Sequence, residues 1–180
     1  MDNISYQDIV KQAERGEILV GVEPALARKF FTATSHKTIQ QEIGEALYTE
    51  RFFVTAVWVL EFISLLAGII TSVFALGWYS AIAIPLMIIV FFMLMGHASM
   101  GKQRMGGALY LVIICSILAY VFREKGTSLV LWLVLLPMPY FFARLTYKLA
   151  TVFLRALSLR NERAFNLLLD NAIFLRVMGE

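Results

Sequence analysis

The chain has 180 residues, of which 59% are hydrophobic and only 16% are charged, with a formal net charge of +3 and a mean hydropathy of +0.73. This composition excludes an ordinary soluble domain, because charged residues make up about a quarter of such proteins. The expected partner is therefore the lipid bilayer, and no nucleic acid is expected.

Residues 1–50 are predicted to form a cytoplasmic region of amphipathic helices. Ser5 and Asp8 have the spacing of a helix N-terminus, and Gly16 can end that helix. A second helix can begin at Pro24, since the first turn of a helix does not need the N–H that proline lacks.

A third amphipathic helix is predicted just before the first apolar stretch. Thr38 and Gln41 repeat the spacing of a helix N-terminus. The apolar residues that follow at helical spacing are Ile39, Ile43, Ala46 and Leu47. We expect this helix to continue without a break into the first membrane crossing.

Four apolar stretches follow, and we interpret them as four transmembrane helices. They cover about residues 52–76, 78–96, 106–122 and 127–143. Each approaches the roughly 20 residues that a helix needs to cross about 30 Å of hydrocarbon. The predicted fold class is an all-α integral membrane protein, with a four-helix bundle over residues 51–143 and cytoplasmic amphipathic helices at both ends.

Glu61 lies in the middle of the first apolar stretch, where an ionised group is costly and is rarely accidental. Ser64, Gly68 and Ser72 follow at helical spacing, so that they share its face of the helix. Stripes of small residues let membrane helices approach closely. We therefore assign Gly68 and Ser72 to helix packing, and Glu61 and Ser64 to an intramembrane site that is either structural or binds an ion or a proton.

The candidate neighbours of Glu61 follow from its depth, counted at 1.5 Å per helical residue. Ser116 of the third crossing and the Pro137 to Pro139 segment of the fourth reach about the same level. The two prolines, which we also assign to helix packing, should kink their helix and free carbonyl groups. Three interpretations are open: a neutral Glu61 that donates to Ser116 or to a freed carbonyl, an ion pair with Arg144, or a functional proton or cation site.

Residues 144–180 are predicted to form a basic, amphipathic, interfacial region. Arg144, Lys148, Thr151 and Arg155 form a stripe at helical spacing, and an apolar stripe follows at Ala164, Phe165, Leu168, Ala172 and Leu175. Basic side chains beside the membrane commonly extend to lipid phosphates. We expect Lys148 and Arg155 to contact anionic lipids on the cytoplasmic side.

The distribution of charge predicts the orientation. Loops rich in Lys and Arg stay in the cytoplasm, and the loop after the second crossing holds Lys102 and Arg104 without an acidic residue. Four crossings then leave both termini in the cytoplasm, in a cell inner or plasma membrane.

The two ends also carry opposite charge. Residues 1–50 hold five Lys or Arg against eight acidic residues, whereas residues 144–180 hold six against three. Complementary charge favours association. We therefore expect the two ends to dock on each other; the alternative is two independent segments that lie on the membrane surface.

The residues that usually carry chemistry are sparse. His36 and His97 lack other metal-ligating residues at suitable spacing, and no catalytic residue, metal or cofactor is predicted. Two functions remain open. The first is a non-enzymatic subunit of a larger or oligomeric membrane assembly, such as a secretion, transport or envelope complex, with helices as contact surfaces toward its own copies or other membrane subunits. The second is a homo-oligomeric ion or proton channel or carrier with Glu61 in the pathway.

Overall fold

The computed structural model describes residues 5–100 and 105–169, together with the backbone of residues 173–177. Lys102, Arg104 and Ala172, on which part of the sequence interpretation rests, lie outside these ranges. In chain order the elements are α1 Tyr6–Glu14, β1 Ile18–Val22, α2 Pro24–Ala33, α3 His36–Ile43, α4 Tyr48–Leu76, α5 Ser80–Ser99, α6 Gly106–Val121, α7 Thr127–Leu135, α8 Met138–Arg160, α9 Glu162–Leu169 and β2 Ile173–Val177. The predicted helical fold class is confirmed, with one short two-stranded sheet in addition.

Two helical stretches are long and apolar enough to cross a membrane. They are Tyr48–Ser99 and Thr127–Arg160, and Gly106–Val121 is a shorter apolar helix. The first stretch turns back on itself at Gly77, whose φ of 56° and ψ of −127° interrupt the helix. Consequently α4 and α5 lie side by side, and a Cβ on Gly68 of α4 would be 3.1 Å from Cε of Met87 on α5.

The helix predicted over residues 127–143 is divided at Pro137, which lacks the N–H that a continuous helix requires. The backbone N–H of Leu136 still donates to the carbonyl of Trp132 at 2.9 Å. Beyond the proline, α8 continues for 23 residues to Arg160. The second half of α8 therefore extends well past the predicted end of the fourth crossing.

The third N-terminal helix differs from the prediction at both ends. Ser35, not Thr38, caps α3, because its hydroxyl accepts a hydrogen bond from the Thr38 N–H at 3.1 Å. The helix then ends at Gly44, which has a φ of 80° that favours glycine. A new helix, α4, begins at Tyr48, so the expected continuous helix into the first apolar stretch was wrong.

The C-terminal apolar stripe was predicted to be helical through Leu175, but α9 ends at Leu169. Leu175 lies instead in β2, where it pairs with Val20 of the antiparallel strand β1. The sequence Ile-Leu-Val-Gly-Val of β1 is rich in aliphatic residues and is bounded by Gly16 and Pro24, which is a strand signal that the helical interpretation missed.

The two ends of the chain pack together around one apolar core. We call this unit the head, and it comprises residues 5–54, 150–169 and 173–177. Its buried apolar side chains are Ile9, Val20, Val22, Ala27, Phe31, Ile39, Ile43, Leu47, Val54, Ala150, Leu154, Leu157, Ala164, Phe165 and Leu168. The docking expected from charge is confirmed within the chain, although most of the contact is apolar and the opposite charges meet where Arg160 bonds Glu45 and Glu50 at 3.0 and 3.1 Å.

The remaining described residues, 55–100 and 105–149, form a unit that we call the bundle. In it α4 packs on α7, α8 and α5, whereas α6 packs on α7 and α8. Most of the large apolar side chains that are exposed belong to the bundle, including Phe74 and Trp78, which are each 74% exposed. An outward-facing apolar surface of this extent is typical of helices that contact lipid or other apolar partners.

Candidate functional site

Glu61 lies on the buried face of α4, together with Val54, Ser64, Gly68 and Ser72. The side chain of Glu61 is 0% exposed. Neither of its carboxyl oxygens has a hydrogen-bond partner among the residues that the structure describes. A buried carboxyl without partners is energetically unfavourable, and an ionised one is more so, which makes Glu61 the centre of the candidate site.

The serines beside Glu61 do not satisfy its carboxyl. The Ser64 hydroxyl donates to the backbone carbonyl of Glu61 at 2.9 Å, and the Ser72 hydroxyl donates to the carbonyl of Ile69 at 2.7 Å. Each serine therefore uses its single hydroxyl hydrogen on its own helix. Gly68 lies one turn above Ser64 and allows the close approach of α5.

The cation near Glu61 is Arg28, on α2 of the head. The positive charge of Arg28 acts on Glu61 and also on Tyr147 of α8. Its guanidinium carbon lies 4.8 Å from the centre of the Tyr147 ring, and its Nη1 lies 3.8 Å from Sδ of Met95 on α5. A direct ion pair requires a nitrogen and an oxygen within 4 Å of each other. Among the ion pairs that the described residues form, none joins Arg28 to Glu61.

The sequence of α2 explains how Arg28 reaches this position. Pro24 begins the helix, and Ala27 and Phe31 are fully buried in the head core. Arg28 follows Ala27 directly, so it emerges at the edge of the buried face, where α2 packs on α8, α4 and α5. The guanidinium is thus placed over an aromatic ring at the boundary between the head and the bundle, a favourable position for a cation.

Two of the predicted neighbours of Glu61 lie elsewhere. Ser116 is exposed on α6, and α6 packs on α7 and α8, so this hydroxyl is not a partner of the buried carboxyl. Arg144 lies with its guanidinium carbon 4.7 Å from the centre of the Tyr140 ring, and its Nη1 approaches Gly107. The depth count alone could not distinguish a residue on an inward face from one on an outward face.

The remaining predicted site residues are on α8 or just before it. Pro137 is buried between α7 and α8, and Pro139 contributes to the wall of an apolar cavity of about 320 Å³ together with Leu65, Met87 and Trp132. Lys148 and Arg155 are exposed on α8, and Arg155 lies beside a separate open cavity of about 620 Å³. The structure therefore groups Glu61, Ser64, Gly68 and Ser72, and it separates them from Lys148 and Arg155.

The chemistry available to this site is that of a single buried carboxyl beside one cation. In the described part of the chain no three His, Cys, Asp or Glu residues come together as metal ligands. The carboxyl can take up a proton, which removes its negative charge and supplies one hydrogen-bond donor. Alternatively it can remain ionised, in which case Arg28 is the charge that balances it.

No family model, curated protein or solved structure matches the chain significantly. The sequence predicted Glu61 and its stripe as a site but did not predict Arg28. A signal was present, because Arg28 is a cation beside the buried positions of an amphipathic helix. The identity of its partner could not be read from the sequence, since Arg28 and Glu61 are on helices that only the tertiary fold brings together.

Proposed function

We propose that the protein is an integral membrane protein with four crossings, both ends in the cytoplasm, and that it serves as a non-enzymatic subunit of a larger or oligomeric membrane assembly. The crossings are α4, α5, α6, and α7 with the first turns of α8. The observation that carries this proposal is the combination of an outward apolar surface on the bundle with a separate head that is built from both ends of the chain.

The lengths of the helices support the four crossings. At 1.5 Å per residue, the 29 residues of α4 extend about 43 Å, which is enough to cross the hydrocarbon and continue into the head. The 16 residues of α6 extend about 24 Å, which is short but compatible with modest thinning of the bilayer. The turn at Gly77 lies at the far end of the bundle from the head.

The position of the head supports a common side for both ends. It contains residues from both ends, and two exposed basic residues of α8 lie at its boundary, Lys148 just before the head and Arg155 within it. Basic residues at this boundary favour the cytoplasmic side and contact with anionic lipids. The chain is thus expected to contact the lipid bilayer directly.

The location of the contact surfaces follows from what is already buried. The stripe of Glu61, Ser64, Gly68 and Ser72 is covered by helices of the same chain, so it is not the surface that meets another subunit. The surfaces that remain are the outward faces of α4, α5 and α6, with side chains such as Phe74 and Met93, and the exposed polar side of the head. These surfaces can contact other copies or other membrane proteins.

The test is the mass and composition of the particle extracted gently from its native membrane. We expect the chain to elute with other membrane proteins or as a defined oligomer. A particle that contains one copy of the 20.4 kDa chain and only lipid, under conditions that preserve a known complex from the same membrane, would contradict the proposal.

A second candidate function is a proton or cation carrier with Glu61 in its path, and it is favoured because neither carboxyl oxygen of Glu61 has a hydrogen-bond partner in the described part of the chain. Because Glu61 is buried inside a single chain, the path would run within that chain and not between copies. Flux into proteoliposomes should then be lost in Glu61→Gln and retained in Glu42→Gln, which neutralises an exposed carboxyl of the head. Flux from the unmodified protein no greater than that of empty vesicles would remove this candidate.

A further inference from the structure

We infer that Glu61 is a proton-binding site whose counter-ion is Arg28, and that the protonation state of Glu61 controls how firmly α2 of the head is held against the bundle. The proposed contact links two parts of one chain. It does not depend on movement of the proton across the membrane or on the partners of the protein.

The surroundings of the Glu61 carboxyl favour its protonated form. Glu61 is 0% exposed and both of its oxygens lack partners among the described residues, so its ionised form is not stabilised by any direct hydrogen bond there. Uptake of one proton from the aqueous side forms one O–H bond and cancels one negative charge. The neutral carboxyl is the form that this environment tolerates best.

Few charged or titratable groups face Glu61 from the helices that pack against it. On α2 this group is Arg28, and on α8 it is Tyr147. The sequence of α7 has no titratable residue, and in α5 the single such residue is His97, which is exposed and bonded to the carbonyl of Met93. Arg28 is therefore the group whose interaction with Glu61 changes most when the carboxyl loses its proton.

The Arg28 side chain is held by weak contacts, whereas the helix that carries it is firmly packed. Its present contacts are a ring face at 4.8 Å and a thioether sulfur at 3.8 Å, and neither is a strong hydrogen bond. An ionised Glu61 offers a charge-assisted bond, which is stronger than these contacts, so the guanidinium is expected to turn toward it. The α2 backbone, by contrast, is fixed in the head core by Ala27 and Phe31.

Arg28 and Glu61 thus form a pH-dependent contact between the head and the bundle, which we call the latch. When Glu61 is ionised, the ion pair draws α2 onto α4 and α8. When Glu61 is protonated, that attraction is absent, and α2 is held by its apolar contacts and by the weaker contacts of Arg28 with Tyr147 and Met95. The protection of α2 against local opening should therefore rise as the pH increases, because the ionised carboxyl is the form that binds Arg28.

The experiment is hydrogen–deuterium exchange of α2 in the full-length protein, reconstituted in lipid nanodiscs and measured across the neutral pH range. Protection factors are compared, because they remove the intrinsic pH dependence of exchange. We expect about a tenfold gain in protection of α2 from the acidic to the alkaline side, which is within the range of typical coupling between two sites. In Glu61→Gln and in Arg28→Met we expect this gain to be lost.

Lys29→Met is the matched control, because Lys29 is the exposed neighbour of Arg28 on the same helix and should leave the gain unchanged. If Glu61→Gln fails to fold, Arg28→Met alone still tests the latch. An infrared band of a protonated carboxyl that disappears on alkaline titration, and that is absent from Glu61→Gln where this variant folds, should accompany the change. The inference is overturned if either Glu61→Gln or Arg28→Met keeps the tenfold gain, or if the unmodified protein shows none.

Discussion

The head and the bundle differ in the residues that they bury and in those that they expose. In the head, apolar side chains from both ends of the chain form the core, and charged groups such as Arg160 and Glu45 lie at its edge. In the bundle, the buried face of α4 carries Glu61 and small residues, while Phe74 and other large apolar side chains are exposed. This difference is expected if the bundle lies in a membrane, as proposed. Water then drives the packing of the head, whereas close approach of small residues holds helices together where the surroundings are apolar.

The comparison can be tested most strongly with one substitution made in each region. Phe31→Ala in the head core should destabilise the protein by about 3–5 kcal/mol, because Phe31 is fully buried and its removal leaves a cavity. Phe74→Ala on the surface of the bundle should change stability by less than about 1 kcal/mol in a lipid-like medium. Thermal or denaturant unfolding in one detergent compares the two. Equal effects would contradict the assignment of separate solvents.

The second prediction concerns the close approach of α4 and α5. Gly68→Leu should cost about 1–3 kcal/mol, since even a Cβ at this position would meet the Met87 side chain at 3.1 Å. Gly96→Leu on α5 is the control, because no atom lies within 4 Å of a Cβ added there. Unfolding of both variants in the same micelles is the measurement. A cost for Gly96→Leu as large as that for Gly68→Leu would show that the general loss of glycine, and not packing, is responsible.

The third prediction tests the polar edge of the head. Asn161 caps α9, since its Oδ1 accepts from the Ala164 N–H at 3.1 Å, while its Nδ2 donates to Glu45 at 2.8 Å. Asn161→Ala should reduce stability by about 1–2 kcal/mol. Asn166→Ala, at an exposed position of the same helix, should have little effect. Chemical denaturation followed by circular dichroism should separate these two variants.

The smallest effect is expected at Tyr6, whose hydroxyl donates to the Ser158 carbonyl at 3.2 Å. Burial, and secondarily the negative charge of Glu162, raises the pKa of Tyr6 above its usual value. The neutral phenol is therefore favoured in the folded head, and its contribution to stability is lost as the pH rises from the unfolded value of about 10 through the folded pKa.

Tyr6→Phe should accordingly cost about 0.5–1 kcal/mol at neutral pH and should reduce the loss of stability in alkaline solution. Melting temperatures of Tyr6→Phe and of Tyr110→Phe, which alters an exposed tyrosine, can be compared over a pH series. If the alkaline loss of stability is the same in both variants, Tyr6 is not its source.

The sequence predicted features that depend on local periodicity. The stripe of Glu61, Ser64, Gly68 and Ser72 is such a feature, because helical spacing alone places these residues on one face. It also predicted the break near Pro137, which follows from covalent chemistry. The pairing of β1 with β2 and the approach of Arg28 to Glu61 were not predicted, because they join segments that are distant in the sequence. Ser116 shows the converse error, since a count of residues along the helix carries no information on which face a side chain occupies.

The pairing of β1 with β2 has a consequence for synthesis. The head joins residues from the two ends, such as Tyr6 and Ser158, which are 152 residues apart along the chain. At typical rates of translation, α1, β1 and α2 must wait on the order of 10–30 s for their partners to be made. During that interval the apolar faces of α1 and α2 lack their final cover. The head therefore stays incomplete until the C-terminal segments that complete it have been made.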